Sequence, residues 1–311
     1  MTEVIIVGAG TAGLTAAQVL GRQGRETLVI DGGRPRNAPA PELHMFPSRD
    51  GFPPAELLRL ARAELAAYPA VRRTEGTVTA VEGKIDDFTV TLADGSRERA
   101  RRLILATGVV DTMPRTEGVA ERFGRGVHHC PFCHGNEVRG RTVGVLGNGA
   151  QGGMLSLYLR DRFTEDVVLC TDGPADLPAP VAALLDARGI AVREEPVLRV
   201  DGEPDALTVY LSGGEPLPRQ ALFHRTGESP NTALAAQLGC EILPDGWLRV
   251  DARQGTTVPG VYASGDLARQ AELPVALTFV ATAAASGQVA AVHIDGELFR
   301  ASFPTVFPPG N

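Results

Sequence analysis

The sequence predicts an α/β chain built of two Rossmann-like dinucleotide-binding domains. Three observations carry this reading. A short apolar run, Val4 to Val7, leads directly into Gly8-Ala-Gly10-Thr-Ala-Gly13. The same order of strand, glycine turn, helix and strand returns between Thr142 and Cys170. A strand-like stretch ending Ala106-Thr107-Gly108 is echoed at Leu222-Phe-His-Arg-Thr226-Gly227. A repeated order of elements points to a repeated fold.

Taken in order, Val4 to Val7 has the unbroken apolar character of a strand buried on both faces. Leu14 to Leu20 reads as a helix, and Thr27 to Ile30 as the next strand, ending on Asp31, eighteen residues after Gly13. Glycines here let the backbone turn and approach a pyrophosphate, the helix N-terminus faces that anion, and the acid accepts from a ribose hydroxyl. Residues 34–54 are loop-like, with Arg34, Arg36 and Asn37, and a helix is expected from Ala55 to Tyr68. Val78 to Val81 and Phe88 to Leu92 alternate as strands with a turn at Asp94-Gly95. Leu103 to Gly108 is a buried strand opening into a small turn.

The second unit is the weaker copy. Thr142 to Leu146 leads into Gly147-Asn-Gly149-Ala-Gln-Gly152, then a helix to Leu159 and a strand, Val167 to Cys170. Its acid, Asp172, falls two residues after Cys170, and residues 173–180 are crowded with proline. Farther on, Thr257-Val-Pro-Gly-Val-Tyr-Ala-Ser-Gly265-Asp266 is a short strand whose Gly-Asp end can set a carboxylate beside a polyol. A helix is expected after Pro274, offering its N-terminal N–H groups to an electron-rich ring.

Between the two units lies Cys130-Pro-Phe-Cys133-His134, preceded by His128 and His129. Two thiols separated by two residues can close a disulfide and so hold and return two electrons. The histidines flank both sulfurs with proton donors and acceptors. A structural zinc site would need a second ligand pair at matching spacing, and none follows, so no metal is expected. Haem attachment at Cys-x-x-Cys-His would require export, and the acidic start Met-Thr-Glu is unlike a secretory signal.

Composition narrows the function classes. The 311 residues suit two domains, and a net charge of −7 argues against nucleic acid or an anionic membrane as the main partner. Cysteine is scarce, with Cys170 and Cys240 standing alone as packing residues, a usage that suits a reducing cytoplasm. Leu273 to Ile294 carries no Asp, Glu, Lys or Arg, but its Ala, Thr, Ser and Gly content reads as a closely packed internal helix rather than a membrane span.

The ordered set of motifs (residues 8 to 13, Ile-Leu-Ala-Thr-Gly at 104 to 108, Cys-x-x-Cys before a second glycine turn, and the Gly265-Asp266 stretch) resembles the low-molecular-weight thioredoxin reductases. That resemblance implies an FAD domain made of residues 1–112 and 245–311, with 113–244 inserted as a degenerate pyridine-nucleotide-type domain carrying the Cys-x-x-Cys. It implies that Gly8, Gly10, Gly13 and Asp31 hold the adenosine diphosphate half of FAD. Ala106, Thr107 and Gly108 would line the cofactor, and Gly265 and Asp266 would hold its ribityl and flavin half. Val275 and Ala276 would face the ring through their backbone. Cys133 would be the cysteine nearer the flavin, Cys130 the one that exchanges with substrate, and the protein a homodimer.

Two departures shape the functional expectation. Where thioredoxin reductases read the 2′-phosphate of NADPH with a basic cluster, this chain has Cys170-Thr-Asp-Gly-Pro. An acid at that place opposes a phosphate by about 4 kcal/mol at about 4 Å near a protein surface. The family's Cys-x-x-Cys-Asp is Cys-x-x-Cys-His here, similar to the flavin-dependent dithiol oxidases that close disulfides in natural products such as gliotoxin and holomycin. The resemblance implies a small-molecule dithiol oxidised at Cys130 and Cys133, with electrons passing to FAD and then O2, giving H2O2. His129 and His134 are the candidate proton relay, with His128 secondary. The alternatives are a disulfide reductase drawing on NADH, ferredoxin or another donor with a thioredoxin-like partner, and a non-catalytic redox sensor.

Overall fold

The computed structural model describes residues 1–225 and 227–306. Thr226, within the second Thr-Gly echo, and residues 307–311 lie outside the described residues.

The first unit is organised around β1 (Thr2–Val7), whose Val4, Ile5 and Ile6 are completely buried. It lies between β2 (Thr27–Asp31) and β6 (Arg97–Leu105), parallel to both, in the order β3 (Val71–Glu75), β2, β1, β6. Strand alternation sends successive side chains to opposite faces. Val4, Ile6 and Val29 therefore pack on α1 (Thr11–Arg22) and α7 (Val280–Ala301). Ile5, Val7, Leu28 and Ile30 pack on the other face, against the hairpin β4 (Val78–Lys84) and β5 (Asp87–Leu92). β18 (Val261–Ala263) joins β6 in parallel, so the far end of the chain completes the sheet. The expected helix at 55–68 is α2 (Pro54–Glu64) followed by a short 3-10 turn.

The second unit repeats this plan. Five parallel strands run β11 (Ala191–Arg193), β10 (Val167–Cys170), β9 (Val143–Leu146), β15 (Ala221–His224), β8 (Val127–His128). One face packs on α4 (Gly149–Arg162) and α5 (Ala179–Ala187). The other is covered by an antiparallel sheet of β12 (Val197–Glu203), β13 (Ala206–Leu211) and β14 (Leu217–Arg219), elements the sequence reading did not resolve.

The chain crosses between units on two short strands, β7 (Val109–Asp111) and β16 (Glu228–Pro230), which pair antiparallel. After β16, α6 (Ala233–Gln237) already belongs to the first unit by packing. Leu234, Ala235 and Cys240 sit in its core, although the sequence division places them in the insert. β17 (Leu248–Val250) and β19 (Ala268–Gln270) form a parallel pair beside it.

The charge-free stretch is resolved by packing. Ala12 and Ala16 of α1 meet Gly287, Ala290 and Ala291 of α7, and among the described residues no helix is long and apolar enough to cross a membrane. α7 begins at Val280, not after Pro274. The Thr282 hydroxyl accepts from the Phe279 N–H (3.2 Å) and donates to the Leu277 carbonyl (2.7 Å), which fixes the start there.

A Cβ at Gly287 would lie 2.1 Å from the Ala12 carbonyl oxygen, whereas one at Gly296 would meet only the Arg300 side chain at 3.3 Å. Gly287→Ala should therefore destabilise by about 1–3 kcal/mol through overpacking, and Gly296→Ala should not. Urea unfolding midpoints at unchanged slope check this.

Candidate active site

The glycine turn after β1 is built by contact rather than by choice of residue alone. Gly8 has φ +106°, and a Cβ there would lie 2.3 Å from the Ala106 carbonyl oxygen. A Cβ on Gly13 would meet the Gly8 carbonyl oxygen at 1.9 Å, so this glycine seats α1 on the turn. At Gly10 nothing lies within 4 Å, and the space is part of a cavity of about 810 Å³. That cavity is lined by Gly8, Gly10, Asp31, Ala106, Thr107, Gly108, Gly265 and Asp266, and by His129, Cys133 and His134 from the second unit. An open cradle at Gly10, an acid at the end of β2 and a second carboxylate at Asp266 fit an elongated dinucleotide. Asp31 also accepts from the Gly33 N–H (3.0 Å) and pairs with Arg62 (3.3 Å), a partner the sequence did not reveal.

Five expected residues do not line this cavity: Gly13, His128, Cys130, Val275 and Ala276. Gly13 lies behind the turn. Val275 and Ala276 precede the helix, and Thr278, Phe279, Val280 and Ala283 line the cavity in their place because α7 starts later than the proline suggested.

Cys130 and Cys133 form a disulfide, with Cα atoms 5.3 Å apart. The single-turn helix α3 (Pro131–His134) holds the pair. Pro131 starts it without needing an N–H donor, and the Cys130 sulfur accepts from the Cys133 N–H (3.2 Å). Only Cys133 of the two reaches the cavity. Phe132, between them, is 60% exposed and lies near Tyr158 and Phe279, at 5.9 and 6.0 Å between ring centres.

The three expected histidines separate. His128 and His134 stack on each other at 4.2 Å, and both ring nitrogens of His134 are buried without a hydrogen-bond partner. Burial, reinforced by neighbouring histidines, pushes His128 well below its ordinary pKa, and burial drives His134 down to about 4. His129 turns away and stacks on Phe123 at 5.4 Å. Burial lowers it too, while Asp111 opposes. Two further histidines join the group from a distance in sequence. His224 ends β15 and is held to about 4 by burial, and His44 stands edge-on to His134 at 6.4 Å.

Beside His129 is a charge cluster that no motif signalled. Arg36, from the proline-rich loop, binds Asp111 through two contacts (2.8 and 2.5 Å), Glu228 (2.5 Å) and Asp266 (3.0 Å). Burial raises the Asp266 carboxyl, with Arg36 opposing; at Asp111 burial also acts upward, but Arg36 outweighs it and leaves the carboxyl lowered. Asp111, His129 and Glu228 each offer an atom within 4.8 Å of the others. A guanidinium already bridges the two carboxylates there.

The second glycine turn is covered by its own chain. Asn148 caps α4, accepting from the N–H groups of Gly149 (2.8 Å) and Asp176 (2.9 Å), and donates to the Pro174 carbonyl (2.9 Å). Asp172, the candidate ribose acceptor, instead accepts from the Val197 N–H at 2.7 Å.

The buried neutral histidines set an acid limit. Below their ordinary pKa of about 6.5 the unfolded chain takes up protons that folded His134 refuses until about pH 4, so stability falls as pH falls through that window. His134→Gln should flatten the slope between pH 6 and 4.5 by up to about 1.4 kcal/mol per pH unit. Urea titrations of both proteins across that range measure it.

A sequence profile of the pyridine nucleotide-disulphide oxidoreductases matches residues 2–287. Thioredoxin reductase tcpT of Claviceps purpurea is 33% identical over 282 residues, 86% of each chain. Thioredoxin reductase sirT of Leptosphaeria maculans is 33% identical over 292 residues, again 86% of each. Among solved structures, HlmI superposes with a TM-score of 0.89 at 37% identity, covering 98% of this chain and 95% of that one. An oxidoreductase from Agrobacterium tumefaciens gives 0.86 at 34%, covering 96% and 98%. The profile spans both units and the relatives align along most of their length, so the chain belongs to the pyridine nucleotide-disulphide oxidoreductase family.

Proposed function

We propose that this protein is an FAD-dependent dithiol oxidase that closes a disulfide in a small molecule. The observation that carries the reading is the placement of Cys133 in the dinucleotide cavity while the second glycine turn is strapped by Asn148 and its neighbours. Gly8, Gly10 and Asp31 would hold the adenosine diphosphate half of FAD. Thr107, Gly108, Gly265 and Asp266 would hold the remainder, and the start of α7 at Val280 takes the place expected of Val275 and Ala276. Bound FAD would supply a two-electron acceptor for the reduced cysteine pair and a route onward to O2, with H2O2 as product.

The residues of the chain do the rest. A substrate thiolate attacks the Cys130 sulfur, the Cys130–Cys133 bond breaks, and the electron pair stays on Cys133. The substrate's second thiol then attacks the mixed disulfide and leaves as product, with Cys130 as thiolate. His129 is the base best placed for the proton, because Asp111 and Glu228 lie with it and oppose the lowering that burial imposes on all three histidines. Exposed Phe132 beside Tyr158 and Phe279 supports an apolar approach suited to a small substrate. The buried free thiols of Cys170 and Cys240 agree with a cytoplasmic setting, and a homodimer completes the reading.

The names of the relatives favour a second reading, a disulfide reductase with a thioredoxin-like partner. About 30 mV moves a two-electron exchange tenfold, so direction must be measured. With dithiothreitol as substrate, the FAD-loaded protein should consume O2 and release one H2O2 per disulfide. Cys130→Ser and Cys133→Ser should each lose at least about 100-fold. An oxidase that keeps its rate in either variant would sink the mechanism.

NADPH gives the sharper division. The covered second turn should make anaerobic flavin reduction by NADPH slow or absent in stopped flow, and rapid bleaching at micromolar NADPH would put the reductase first.

A further inference from the structure

Asp111 closes β7 and Glu228 opens β16, and the two are direct partners across that strand pair. Arg36 fixes both carboxylates, and His129 lies with them, its ring held on Phe123. His129 immediately precedes Cys130, yet the two acids beside it come from the strands that cross between the units. We propose that Asp111 and Glu228 are positioning residues that make His129 the proton acceptor for the thiol entering at Cys130, with Arg36 as the counter-charge that holds the pair in place. The proposal rests on the dithiol oxidase reading.

Proton traffic needs a base that can be charged for a moment without great cost. His128 has no carboxylate opposing its burial, and at His134 the opposing Glu137 is outweighed by burial, which leaves that ring at about 4. Around His129 the balance differs. Asp111 and Glu228 favour its imidazolium, whereas burial and the cations Arg36 and Arg225 oppose it. His128, His134 and His224 add repulsion only when they are themselves protonated. In the step itself the substrate thiol gives its proton to the His129 ring. The thiolate then bonds to the Cys130 sulfur as the Cys130–Cys133 bond breaks, and its electrons remain on Cys133. The imidazolium persists beside two fixed carboxylates until its proton passes to the Cys130 thiolate released as the substrate's second sulfur closes the product disulfide, which carries no proton away.

The test uses full-length holoprotein with ring-labelled histidine, the His129 resonance being assigned by loss in His129→Gln. Asp111→Asn and Glu228→Gln should each lower the His129 titration midpoint by about one pH unit. Arg36→Gln should raise it. The acid limb of kcat/KM for dithiothreitol should move with the same sign and size in each variant. Opposite movement on removing an acid and on removing the arginine separates charge positioning from a merely structural role. Should Asp111→Asn or Arg36→Gln fail to fold, Glu228→Gln decides alone, because that side chain is a quarter exposed. An unmoved midpoint in Glu228→Gln, or a midpoint that moves while the acid limb does not, overturns the proposal. Loss of dithiol-dependent O2 uptake in the unmodified protein would instead remove the oxidase reading and leave the titration readable.

Discussion

Arg36 ties together three parts of the chain that lie far apart in sequence. Its guanidinium reaches from the loop after β2 to Asp111 on the strand leaving the first unit, to Glu228 on the strand returning, and to Asp266 at the end of the cavity. Three carboxylates held this close repel one another, and burial penalises Asp111 and Asp266. One cation among them converts that repulsion into attraction. Removing the cation would leave partly buried carboxylates without a replacement charge, which is the costly way to break such a cluster. The contact braces the two crossing strands, β7 and β16, that lead out to the second unit and back.

Both units use one framework, and their different fates lie in the loops. In the first, the residues after β2 fold away from the glycine turn and leave Gly10 open to the cavity. In the second, the segment after β10 comes back over the turn, where Asn148 takes its backbone groups in hydrogen bonds. Asn148 is exposed, so the strap is held by the number of its hydrogen bonds rather than by burial. The repeated fold therefore supplies two scaffolds and one open mouth.

The histidines show how position outweighs residue type. Within seven residues, two imidazoles stack on each other, with both ring nitrogens of one lacking a hydrogen-bond partner, and a third lies with two acids. Burial lowers His134 and His129, opposed by Glu137 at the first and by Asp111 and Glu228 at the second. The same side chain thus meets a stacked imidazole in one place and a pair of carboxylates in another.

Much of the fold was legible in the sequence because it rests on local rules. The apolar run at Val4 to Val7, the glycine spacing after it and the acid at Asp31 are constraints of a single strand–turn–helix unit, and they are met where they were expected. The Cys-x-x-Cys pair is equally local, since two residues of separation bring the sulfurs within bonding reach. What required tertiary structure involved residues far apart in the chain. The α7 start at Val280 depends on a threonine hydroxyl rather than on Pro274. Asp172 was committed to Val197, 25 residues away. Arg36 found its partners 75, 192 and 230 residues onward. Charge has no periodicity to reveal its partner, so the cluster that surrounds His129 is set only when the two crossing strands close.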